Sequence, residues 1–296
     1  MKNTWALTVS RMRLAMRNRA FLFFSLIMPI AFLFFYMGIF GRKAVQAVPY
    51  LLSDVLALTV MGSFWGLSVQ LVTFREQGIL RRFRVAPVTS SGMLASSLLS
   101  NYFLTLPTIV IEFALARWIF HLSSFGNVLS VLFLVTLGTI CFASLGLIVA
   151  SVTNTMHETQ IIAQIIWFVF LFISGATFPF AMLPGSVQAI AVFLPATYLV
   201  SGLQQSLIDQ TGVVGLGAYM ASLIGCALIA FLIAAELFRW EPESKAPRRA
   251  KLWATAAIIP FLLLGAWETY YGNLRRDALK DLNSIREPFS MQRINR

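Results

Sequence analysis

Of the 296 residues, 58% are hydrophobic and 12% charged; with glycine counted and tyrosine left out, the apolar share is about 62%, against roughly 45–50% in soluble domains. This excludes a soluble enzyme, a disordered tail and a disulfide-rich secreted module, and it leaves an all-α, polytopic transmembrane helical bundle. The net charge is +11, yet the 23 Lys and Arg fall almost wholly between apolar runs, where they orient the chain and meet anionic lipid head groups rather than nucleic acid.

Residues 1–20 carry Lys2, Arg11, Arg13, Arg17 and Arg19 and no acid. Trp5, Val9, Met12 and Met16 recur between them at helical spacing, the pattern of an amphipathic helix lying on a membrane surface. The first apolar run, 21–40, is twenty residues long, and at about 1.5 Å per residue it spans about 30 Å, the hydrocarbon thickness. Pro29 sits in its middle, which a lipid-embedded helix tolerates when neighbours satisfy the freed carbonyl. The run exceeds the core of a signal peptide, and Arg42 and Lys43 separate it from the cleavage-like Val45-Gln46-Ala47, so it is read as retained.

Further runs follow at 52–74, 93–120, 128–152, 161–180 and 218–238. A basic loop, 75–92, joins the second to the third, and a short loop, 153–158, leads from the fourth to the fifth. In the long connection 181–217 the only side chain charged at neutral pH is Asp209. Its segment 184–207 is apolar but short and broken by Pro195, so it reads as a re-entrant or interfacial helix. The core thus covers 21–240, followed by a polar linker, 241–251, and a seventh run, 252–271. Trp253 marks one end of that run and Trp267, Tyr270 and Tyr271 the other, as in a spanning helix; an interfacial or re-entrant course stays open. A basic polar tail, 272–296, closes the chain.

With the N-terminus in the cytoplasm, the inner segments before the seventh run hold 14 basic residues and the outer ones hold 3, Arg42, Lys43 and Arg117. That asymmetry orients the first six runs. A seventh span would export a tail carrying six basic residues, against the rule.

The sequence has no phosphate-cradling G-x-x-x-x-G-K-[ST], no nucleophile elbow and no paired carboxylates, so no enzymatic activity is expected. Cys141 and Cys226 lie in apolar runs and read as buried hydrophobes; His121 and His157 are isolated, so no metal site or bound cofactor is expected. Glu112, Arg117, Glu236 and Glu268 are the ionisable groups picked out within the runs, and they form no chain of the kind a proton relay needs.

Three segments together resemble the membrane-spanning permeases of ABC exporters of the ABC-2 type. They are the basic surface helix followed by an aromatic run with Pro29, the stretch "REQGILRRFRVAPVTSSGMLASSLL" at 75–99, and "FLPATYLVSGLQQSL" at 193–207. The resemblance covers about residues 1–240. It implies a half-transporter in a bacterial cytoplasmic membrane, paired with a second permease of the same or a sibling kind. Separate ATPase subunits, holding the ATP and Mg, would dock from the cytoplasm. The family often has a basic residue near Gln204, where this chain has none.

The loop 75–92 suits that docking. Ile79, Leu80 and Phe83 would fill an apolar cleft of the ATPase, and Arg75, Glu76, Arg81, Arg82 and Arg84 would form a charged rim. Gly78 would ease the bend out of the second run, and Pro87 would end the loop helix. A plain positive-inside loop is the competing reading, and for the surface helix, membrane anchoring alone. Ser63, Gly66, Gln70 and Thr73 share one helical face, as do Gln160, Gln164, Trp167, Leu171 and Ser174. Ser63, Gln70, Gln160, Gln164, Trp167 and Ser174 are the candidate translocation path; polar helix–helix packing explains the same spacing. A carrier or channel working alone and a non-transporting membrane scaffold are the rival functions.

Overall fold

The computed structural model describes residues 2–17, 23–39, 48–80, 89–122 and 124–238, with six single positions between 262 and 270. Among these residues every regular element is helical. In chain order they are α1 (Lys2–Arg17), α2 (Met28–Ile39) after a π turn (Phe23–Ile27), α3 (Val48–Glu76), α4 (Ser90–Trp118), α5 (Val128–Val152), α6 (Met156–Ile173), α7 (Gly185–Ala191), α8 (Pro195–Leu207) and α9 (Gly217–Leu237). Helices α3, α4, α5, α6 and α9 are each long and apolar enough to cross a membrane. With α2 in the first run, each of the six core runs has its helix. The seventh run and the tail lie outside the described residues apart from the single positions.

Helix α3 is the hub, packing on α5, α6, α8, α4 and α2. Its close approach to α5 depends on Gly146, where a side-chain carbon would strike the backbone carbonyl of Phe64. A side-chain carbon at Gly138 would press on the side-chain methyls of Val60 in α3 and Leu199 in α8. Around this contact, Phe64 and Phe142 each meet Phe170 of α6 edge-on, with centroids 5.5 and 5.4 Å apart. Edge-to-face rings of this kind add about 0.5–1.5 kcal/mol per pair beyond their burial.

Local chemistry explains the departures from regular helix. Pro29 has no N–H for the carbonyl four residues earlier, that of Ser25; the Thr108 hydroxyl of α4 donates to it at 3.0 Å. Thr89, Asn127 and Thr155 cap α4, α5 and α6, each accepting a backbone N–H with its side-chain oxygen. Helix α6 starts five residues before the expected 161 because Thr155 and Glu158 form its cap. It ends at Ile173 rather than 180 because Gly175 turns at φ 96°.

Helices α7 and α8 meet at 95°, within the segment expected to be re-entrant or interfacial. Pro195 opens α8, where its missing N–H costs nothing. Thr197 donates back to the Ala191 carbonyl at 2.7 Å and Tyr198 to the Val192 carbonyl at 2.9 Å. The Pro-Ala-Thr-Tyr run thereby satisfies the last carbonyls of α7 and fixes the bend. Nearly all of α8 is buried, and the bent pair has the length and composition of a broken span or a re-entrant loop. Helix α1 packs on α4 through Leu7, Thr8, Arg11 and Ala15, leaving Trp5 and Met16 more than half exposed.

Candidate functional site

A cavity of about 380 Å³ lies between α3, α6, the first-run helix, α4 and α1. Its wall contains Ser63, Gly66, Gln70 and Thr73 from α3, and Gln160, Gln164 and Trp167 from α6. Five of the six candidate path residues are therefore brought to one space. The sixth, Ser174, is not; it is buried past the end of α6, where its hydroxyl accepts the Ala176 N–H. The π turn contributes Ser25, α2 Pro29 and Phe32, α4 Asn101 and Thr105, and α1 Leu14 and Ala15. Asn101 was not picked out in the sequence; a single amide in a helix of apolar residues was the available signal.

The cavity reaches from Leu58 to Phe74 along α3, sixteen residues or about 24 Å. Thr73 and Met156 stand at the loop ends of their helices, so one end of the cavity adjoins the base of the loop 75–92.

That base is a network of hydrogen bonds. Arg75, expected on an exposed rim, is 2% exposed: its guanidinium donates to the Ala150 carbonyl at 2.9 Å and the Thr153 carbonyl at 2.5 Å. It thereby caps the carbonyl end of α5, where the helix dipole favours a cation. Glu76 is exposed, and its carboxylate accepts the Met156 N–H at 2.9 Å, the donor end of α6. Gly78 then turns at φ 67° with open space around it, so the backbone conformation, not room, calls for glycine. Ile79 is half-buried. Leu80, expected to enter a partner's cleft, is fully buried in the chain's own cluster with Leu71, Met93, Leu94 and Leu147. Arg81, Arg82, Phe83, Arg84 and Pro87 lie outside the described residues.

Arg11 was read as one of the surface charges of the N-terminal helix; it is instead 1% exposed. It donates to the Ser97 hydroxyl, reaches Met93 Sδ at 3.6 Å and sits 5.5 Å from the centre of the Phe74 ring. Burial lowers its pKa to about 10, so it keeps its charge at neutral pH. It ties α1 to α4 and to the loop end of α3.

Two buried acids hold the other half of the bundle. The Thr59 hydroxyl donates to Glu112 Oε1 at 2.5 Å, joining α3 to α4. Asp54, which the reading of the 52–74 run passed over, accepts from Gln204 Nε2 at 3.0 Å and joins α3 to α8. One acid in a run of apolar residues was the missed signal. Gln204, where the resemblance led to the expectation of a basic residue, thus spans the two helices through its neutral amide.

A sequence profile for the family "ABC-2 type transporter" matches residues 2–208. The chain is similar to the transport permease YvfS of Bacillus subtilis (strain 168), 26% identical over 203 residues, covering 66% of this chain and 81% of that one. It is also similar to the linearmycin resistance permease protein LnrN of the same strain, 25% identical over 181 residues, covering 61% of this chain and 45% of that one. The matched region runs from α1 through the end of α8 and so includes the cavity, the network at the loop base and the stitched bend. The chain belongs to the ABC-2 type transporter family.

Proposed function

We propose that this transport permease is the membrane half of an ATP-driven exporter, set in a bacterial cytoplasmic membrane with its N-terminus inside. A separate ATPase, which holds the ATP and Mg, docks on the loop 75–92 through Arg81, Arg82, Phe83 and Arg84. A second permease completes the assembly. Helix α6 is the least buried of the long helices and offers Ile161, Ile165, Phe168 and Phe172 to that neighbour. Substrate passes by the cavity lined by Ser63, Gln70, Gln160, Gln164 and Trp167.

The observation that carries this reading is the Glu76–Met156 hydrogen bond with the Arg75 cap beside it. A push on the loop reaches α5 through Arg75 and α6 through Glu76. Four cavity residues, Met156, Gln160, Gln164 and Trp167, stand on α6. The name of LnrN, a resistance permease, supports outward transport.

The test is co-purification with the partner ATPase. ATP hydrolysis should need both subunits for full rate, and replacing Arg81, Arg82 and Arg84 with Ala should abolish complex formation. Full transport by that triple variant would remove the coupling claim. Buried Asp54 and Glu112 are the specific observation in favour of an ion-driven carrier, but neither lines the cavity and each is bonded to a neighbouring helix. Transport driven by an ion gradient in vesicles without ATPase would decide for it.

A further inference from the structure

We infer that the cavity between α3 and α6 binds an elongated, uncharged amphiphile bearing hydroxyl or amide groups, and that it discriminates against cations and anions. The inference rests on the translocation role given to this cavity and names the chemistry of what enters it.

Among the described residues, the wall has no Asp, Glu, Lys or Arg. Its polar groups are amides and hydroxyls: Gln70, Gln160, Gln164 and Asn101, with Ser63 and Thr59 among the hydroxyls. Each amide offers both donors and an acceptor, and each hydroxyl one of either kind. Such a set pairs with alcohols, amides and carbonyls, and it neutralises no ion. An ion leaving water for this space would lose hydration without gaining a counter-charge.

Two wall groups point independently to a ligand. Ser63 and Asn101 are 4% and 6% exposed, yet Ser63 Oγ and Asn101 Nδ2 have no hydrogen-bond partner among the described residues. Buried polar atoms are paired in most structures; these two have almost no accessible surface, and a side-chain rotation toward the cavity would let a ligand's hydroxyl or carbonyl complete them. Glu112 is not part of the wall: it is fully buried, the Thr59 hydroxyl that lines the cavity donates to its Oε1, and its Oε2 has no partner among the described residues.

Shape adds the rest. The polar positions Thr59, Ser63, Gln70 and Thr73 run along the part of α3 that lines the cavity and alternate with Leu58, Gly62, Gly66 and Val69. Trp65, Trp167, Met28 and Phe32 supply apolar wall. A molecule about 20 Å long with polar groups on an apolar chain matches both patterns.

The experiment is photo-crosslinking of the full-length permease in lipid nanodiscs, without ATPase. Three probes share a decyl chain carrying a diazirine and differ in the head: N-methylglucamide, trimethylammonium or sulfate. The glucamide probe should label peptides within 58–74 and 156–167 with a yield about tenfold above either charged probe. The double variant Gln70→Leu/Gln164→Leu should lose about tenfold of that labelling. The single variant Ser63→Ala should lose a smaller share and controls for folding of the double variant. Heptyl glucoside in water and glucosyl diacylglycerol in the bilayer serve as competitors. Suppression by either supports the inference and tells a soluble source from a lipid one. Equal labelling by a charged probe, or glucamide labelling that neither competitor suppresses, overturns it. No ATPase is present, so a failure here leaves the coupling reading standing, and a permease that binds the probe but never engages an ATPase separates the two claims the other way.

Discussion

Replacing Arg75 with Met keeps the length and apolar stem of the side chain but deletes the cap on α5. Two hydrogen bonds go, at 2.9 and 2.5 Å. A bond from a charged donor is worth roughly 1.5–3 kcal/mol, and a cation at a helix carbonyl end adds about 0.3–1 kcal/mol. The gross loss is about 3–7 kcal/mol, and because Ala150 and Thr153 are themselves buried little of it is returned by water, so the net cost should be about 3 kcal/mol or more. Arg75→Lys should recover about half, because one ammonium lacks the fork that reaches two carbonyls together. The assay is unfolding of the purified permease in mixed micelles, run beside a measurement of ATPase affinity. Because Arg75 is buried, its loss should lower stability and coupling while leaving ATPase affinity within about twofold, the range of a change outside the contact. An Arg75→Met protein as stable as the parent, or one that loses ATPase affinity as completely as the Arg81/Arg82/Arg84 variant, would refute this reasoning.

Gly146→Ala should destabilise the bundle by about 2 kcal/mol, since the new methyl meets the Phe64 carbonyl and α3 and α5 must part; a lowered unfolding midpoint checks it. Gly78→Ala should cost about 1–2 kcal/mol, from the φ of 67° alone, and the loss should persist when the variant is compared with Gly78→Asn, which tolerates that conformation better. Asp54→Leu leaves the Gln204 amide unpaired in a buried place and should cost about 1–3 kcal/mol, whereas the double change with Gln204→Leu should return most of it. Cysteine placed at a position in 275–296 should react with an impermeant maleimide from outside the cell if 252–271 spans. Cys141 and Cys226 are both buried and give little background, so failure to label puts the tail inside.

The apolar runs were legible because lipid demands continuous hydrophobic helices of fixed length, and run 128–152 coincides with α5. Boundaries moved where short polar residues made caps, as Thr155 and Glu158 do for α6. The cavity was legible as two helical faces, since spacing alone places Gln70 with Ser63 and Gln164 with Gln160. What spacing could not show was where a face stops facing the space: Ser174 continues the stripe in sequence but falls after the helix end. Charge was the poorest guide. Arg11 and Arg75 look like any surface arginines in a basic segment, and only tertiary contact with Ser97 on α4 and with Ala150 and Thr153 at the end of α5 reveals them as buried ties. Leu80 was ambiguous for the same reason, because one loop helix can serve its own core or a partner's.

In the proposed mechanism, work done on the loop 75–92 arrives at the cavity through Glu76 and α6. This route is tested most directly by the rate at which a water-soluble maleimide modifies Gln164→Cys, in the complete complex, with and without ATP held by a hydrolysis-deficient ATPase. The rate should fall about tenfold or more when ATP binds, and the response should disappear in Glu76→Ala, which removes the acceptor at Met156. A rate indifferent to ATP, or a full response in that variant, would contradict it.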